Sequence, residues 1–137
     1  MTQEEKRLLL VDLCGRSPYG VKVNINSPIE EQNRMELFDV NLEGETIGVR
    51  NEKWMFRAVP VENEEGWIVR PYLRRMESMT EEERKEYFAT WGYETIHGMG
   101  IPCSETYDWL DAHYLDYRGL IEKGLADEAL EGMYKFE

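Results

Sequence analysis

The stretch that decides the fold is MELFDVNLEGETIGVRNEKWMFRAVPV, residues 35–61. Residues 35–42 alternate apolar and polar through Phe38, Val40 and Leu42, the period of a half-buried strand. The EGE at 43–45, centred on Gly44, is a turn signal. Ile47 and Val49 resume the alternation, and WMFRAVPV at 54–61 reads as a further strand. Pro60 has no amide hydrogen to give a ladder, so it belongs at a strand end or sheet edge. Upstream, Val21, Val23 and Ile25 alternate in the same way, and Pro28 with a charge cluster interrupts them. Downstream, Asn63 to Gly66 is another turn, and Trp67 to Leu73 is the last strand. Turns this short join antiparallel neighbours, since a parallel crossover needs a dozen or more residues. The expectation is an antiparallel meander of four to five strands, as an open sheet or a small barrel.

Helices flank this region. Thr2 and Glu5 form a capping box, and Leu9, Leu10 and Leu13 make one apolar face of a helix over 3–14, with Gly15 as its stop. Thr80 and Glu83 repeat the box. Arg84, Tyr87, Phe88 and Trp91 then share one helical face, and Gly92 ends it. Residues 92–103 carry three glycines and a proline and read as a loop. Ser104 caps a third helix with Trp109, Leu110, His113, Tyr114 and Tyr117 inward, closed by Gly119. A short helix over 125–130 is also expected. The fold class is therefore α+β: an N-terminal helix, the meander, then two to three C-terminal helices. No repeat, linker or low-complexity tract divides the chain, so residues 1–137 are read as a single domain.

The chain has 137 residues, 42% of them hydrophobic, with four Trp, eight Tyr and four Phe. That is enough to build a core without staples. Its net charge of −12 repels phosphate backbones and favours solubility or a basic partner. The N-terminal apolar run is too short and interrupted to span a bilayer, and acidic residues stand where a signal peptide would be basic. The expectation is a cytoplasmic protein with no membrane partner. Two cysteines, Cys14 and Cys103, make no secreted disulfide framework.

Several residues carry chemistry in principle. Cys103 with His97 or His113 is a nucleophile–base arrangement, and its place before a helix start favours a thiolate. No flanking motif supports it, and His97 and Cys103, six apart, match the close ligand pairs of zinc sites only weakly. No catalytic residue, metal or cofactor is assigned. Asp108, Asp111 and Asp116 are explained by the dipole of the helix that carries them. Arg70, Tyr72 and Arg74 alternate along one strand face, and Arg75 follows. These four form the candidate binding patch. Arginine beside an aromatic suits a phosphate, a carboxylate or a base. Pairing with the chain's own carboxylates is the simpler reading.

The segments IVRPYLRRMESMTEEE (68–83) and YDWLDAHYLDYRGLIEKGLADEALEGMYK (107–135), with the opening EEKRLLLVDLCGRSPYGVKV, resemble a family of small uncharacterised proteins. That family is found in Bacteroides-type gut bacteria and in their phages and mobile elements. Arg75 stands where the family pattern has proline, and Glu77 where it has serine; residues 27–65 match least. The resemblance implies a bacterial or phage origin and a cytoplasmic location, and it brings no activity. The leading functional expectation is a non-enzymatic protein-interaction or regulatory accessory protein of unknown partner and oligomeric state. The alternatives are nucleic-acid binding through the arginine–tyrosine patch and a small Cys/His enzyme.

Overall fold

A computed structural model describes residues 1–93 and 100–134. Helix α1, Gln3–Arg16, starts at the capping box: Thr2 Oγ1 accepts from the Glu5 amide at 3.1 Å, and Glu5 accepts from the Thr2 amide at 2.8 Å. Gly15 does not stop it. The helix continues to Arg16, passes into the 3-10 turn Ser17–Tyr19, and ends at Gly20 in the left-handed region at φ 65°. Gly15 serves close approach instead, because a Cβ there would lie 2.8 Å from the Asp111 carboxylate.

Strands β1 (Lys22–Asn24), β2 (Met35–Asn41), β3 (Thr46–Arg50) and β4 (Met55–Pro60) form the expected antiparallel meander. Pro60 ends β4 on the sheet edge. One register differs from expectation. A bulge between Leu37 and Asp39 switches the inward face of β2. Met35 and Leu37 are buried, Phe38 and Val40 are half-buried, and Leu42 is 55% exposed.

The fifth strand departs further. Strand β5 is only Arg70–Leu73, and it pairs antiparallel with β1, on the far side of the sheet from β4. Trp67 lies outside it, and Ile68 forms an isolated bridge with Glu62. The expected helix over 125–130 is absent. Asp127–Glu128 is instead the short strand β8, parallel to β5. The six-stranded sheet runs β4-β3-β2-β1-β5-β8 and is open and mixed, so neither the barrel nor the purely antiparallel arrangement forms. Residues this few carry no periodicity from which a strand could be read.

Leu9, Leu10 and Leu13 of α1 pack in one core with Val23, Leu37, Val49 and Leu73 of the sheet and with Leu120 and Leu125. Each fully buried leucine contributes about 1.5–3 kcal/mol. Helix α2 is Glu81–Ala89 and helix α3 is Ser104–Ala112. Between them, β6 (Gly92–Tyr93) pairs with β7 (Gly100–Ile101). Helix α3 ends well before Gly119. Tyr114 takes the left-handed conformation at φ 59°, and Leu115 then bridges to Arg74 alongside β5. No helix among the described residues is long and apolar enough to cross a membrane.

Candidate interaction site

Helix α2 is tied to the body at its start. Thr80 and Glu83 make the second capping box, at 3.0 and 3.1 Å. The same Glu83 carboxylate accepts both Arg74 Nη atoms at 2.8 Å, a bidentate pair. Arg74, aided by the Thr80 amide, lowers the Glu83 carboxyl to about 2.

Beyond that anchor, α2 buries none of its own residues. Tyr87 leans on Trp109 of α3 with ring centres 5.8 Å apart. Phe88 and Trp91 surround Tyr87 at 5.1 and 5.8 Å and each other at 5.2 Å. Trp109 stacks on His113, one helical turn on, at 3.9 Å. Phe88 is nevertheless 54% exposed, and the buried Trp91 indole N–H has no hydrogen-bond acceptor among the described residues. The far end of α2 is stitched to α3: the Thr90 carbonyl accepts from Cys103 Sγ at 3.3 Å and from the Thr106 hydroxyl at 3.2 Å. The result is an aromatic arm held at both ends. Glu81, Glu82 and Glu86 of α2 and Glu105 and Asp108 of α3 are exposed on it.

The four patch residues do not present one cationic face. Arg70 donates to the Gly124 carbonyl at 3.2 Å. Tyr72 is only 8% exposed, and burial pushes its hydroxyl pKa up. Arg74 is committed to Glu83, and Arg75 reaches Glu128 at 3.2 Å. Arg74 and Arg75 line one cavity of about 370 Å³; Arg70 and Tyr72 do not line it.

Cys103, not Ser104, is the N-cap residue of α3. The Thr106 amide and hydroxyl hold its thiol below the usual range. His113 Nδ1 lies 2.8 Å from the Trp109 carbonyl. His97, its other candidate partner, lies outside the described residues. Cys14 and Cys103 are free thiols, and burial pushes the Cys14 thiol up. Among the described residues, no three His, Cys, Asp or Glu side chains converge as metal ligands.

Sequence reasoning missed a buried charge cluster where α1 meets α3. Arg16 is fully buried and bonds Asp12 through Nε at 2.9 Å and Nη2 at 3.1 Å, and the Leu115 carbonyl at 2.8 Å. Arg118 adds a 2.7 Å bond to Asp12, and Tyr117 donates to Asp111 at 2.9 Å. Burial, partly offset by Arg16, raises the Asp111 carboxyl. The helix dipole thus does not account for Asp111. Nor does it account for Asp116, which lies beyond α3 and accepts from the Leu120 and Ile121 amides at 2.8 and 2.9 Å. Arg118 likewise lies beyond α3 and serves Asp12. The legible signal was Asp12 and Arg16 one turn apart, with Arg16 continuing the stripe of Leu9 and Leu13. The cluster is a structural lock, because its charges neutralise one another.

Comparison with protein-family models, with curated proteins and with solved structures gives no match.

Proposed function

We propose that the protein is a non-enzymatic interaction protein, an accessory or regulatory factor of the bacterial cytoplasm from a phage or mobile-element setting. Its partner docks on the α2–α3 arm. One observation carries this reading: Phe88 stands 54% exposed in a cluster with Tyr87 and Trp91, on a helix that buries nothing of its own. Exposed aromatics on a rigid support are the usual anchors of interfaces. The net charge of −12 favours a partner with a basic contact surface, drawn in by long-range attraction.

The test is affinity capture from a Bacteroides-type host at low and high salt, with wild-type protein and Phe88→Ser side by side. The expected result is a stoichiometric protein partner that the variant loses and that high salt weakens. A partner held equally by Phe88→Ser would move the interface elsewhere. Nucleic acid in the eluate, lost on Arg70→Ala with Arg74→Ala, would replace the proposal with the arginine-patch reading.

A further inference from the structure

The C-terminal turn occupies a gap in the sheet. Strands β1 and β5 pair through Asn24↔Arg70 and Val23↔Pro71. At the next position, Lys22 and Tyr72, the ladder is opened by the Tyr134 hydroxyl. It accepts from the Lys22 amide at 2.9 Å and donates to the Tyr72 carbonyl at 2.8 Å. A phenol hydroxyl both donates and accepts, so it satisfies both backbone groups; a phenylalanine ring satisfies neither. The Tyr134 ring stacks on Tyr114 at 3.7 Å and 15°. Tyr114 is itself fixed from elsewhere, by its hydrogen bond to the Tyr19 carbonyl. The seat is therefore built by Lys22, Tyr72 and Tyr114, all outside the segment that fills it.

The turn that delivers Tyr134 is exposed at its tip, while Tyr134 itself packs against the core. The turn is closed by the Met133 amide to the Leu130 carbonyl at 3.0 Å, with Gly132 at φ 74°. Leu130 and Glu131 are exposed at its tip. A cavity of about 470 Å³ with Lys22 and Arg34 lies on one side, and the 370 Å³ cavity with Arg75 and the Arg74–Glu83 pair on the other, so the body around the segment carries a net positive charge. The segment crossing this cationic ground, DEALEGMY at 127–134, is acidic, and Glu128 already meets Arg75.

We infer that this seat is a binding site for an acidic peptide carrying a tyrosine, supplied by a partner protein, and that residues 127–134 fill it in cis as a built-in competitor. The site adjoins the start of α2 through Arg74 and Glu83 but shares no residue with the Phe88 cluster. A tethered competitor acts at an effective concentration in the millimolar range, so a free peptide binds with an affinity reduced by the fraction of molecules whose turn is open. Opening the turn without touching the seat should raise that affinity.

Gly132→Ala does this. Its left-handed φ penalises alanine, and among the described residues no atom beyond its chain neighbours lies within 4 Å of the added Cβ. The probe is a fluorescein-labelled peptide of sequence DEALEGMY, titrated with full-length wild type, Gly132→Ala and Tyr134→Ala and read by anisotropy. Binding should tighten at least about fivefold in Gly132→Ala and about tenfold in Tyr134→Ala. A peptide with phenylalanine in place of tyrosine should bind about tenfold more weakly. Phe88→Ser should change none of these values, which separates this test from that of the arm. Equal binding of the tyrosine and phenylalanine peptides overturns the inference. So does an unchanged affinity in Gly132→Ala with a wild-type circular dichroism spectrum. A Gly132→Ala dimer formed without peptide would overturn the partner assignment, because a second copy would then fill the seat.

Discussion

Arg16 folds back onto Asp12 one helical turn behind it, and both side chains are wholly excluded from solvent. Asp12 also takes Arg118, which arrives from the other end of the chain, so one carboxylate ties α1 to the segment after α3. A buried charge that loses its partner costs far more than the pair contributes. Asp12→Ala strands Arg16 and should lower the unfolding free energy by about 3–5 kcal/mol. Arg16→Met leaves Asp12 with Arg118 and should cost less. Urea denaturation of the two variants checks this, and equal losses would count against a shared carboxylate.

Glu83 gives a pH dependence with a definite sign. Its carboxyl is lowered from an ordinary 4.5 to about 2 in the folded protein, chiefly by Arg74. A depressed carboxyl contributes stability that is complete above pH 4.5 and lost as pH falls through 2. The pair is partly open to solvent, so Glu83→Gln should cost only about 1 kcal/mol at pH 7. The difference between variant and wild type should vanish near pH 2. A pH-independent difference would place the effect in the helix cap and not in the ion pair.

Gly48 and Gly66 separate two reasons for glycine. A Cβ on Gly48 would meet the Phe38 ring at 2.7 Å, whereas among the described residues nothing beyond the chain neighbours lies within 4 Å at Gly66, which sits at φ 87°. Gly48→Ala should destabilise by about 1–3 kcal/mol through overpacking, and Gly66→Ala by about 1 kcal/mol through backbone strain alone. Thermal melts rank them. The reverse order would mean that Phe38 swings aside freely.

The two thiols should differ in reactivity. The Cys103 thiol is lowered by the Thr106 amide and hydroxyl, and the Cys14 thiol is raised by burial. At pH 7 iodoacetamide should therefore alkylate Cys103 first, since the thiolate is the nucleophile. Thr106→Val should slow that reaction several-fold. Mass spectrometry of the tryptic peptides reads both sites, and preferential labelling of Cys14 would falsify this ordering.

The sequence by itself determined what is local. Both capping boxes form because a hydroxyl and a carboxylate three residues apart satisfy amides within the same turn. The meander of β1 to β4 follows from alternation broken by short turns, and the α+β class follows from those elements together. Only the tertiary structure decided the rest. A short strand such as β5 gains its partner from the edge left open, so its place beside β1 and not β4 is a long-range choice. Strand β8, two residues long, has no period to read. Tyr114 ends α3 because the chain must turn to run beside Arg74, although its stripe could have continued as helix. The sequence places Arg16 on the Leu9 and Leu13 stripe one turn from Asp12, but that it is wholly buried follows only once Asp111 and Leu115 also close around it, because burial is a property of the assembled core and not of a residue type. The arginines at 70, 74 and 75 make the same point in reverse. Their spacing was legible, but each one's acceptor comes from elsewhere in the chain, and those acceptors were not.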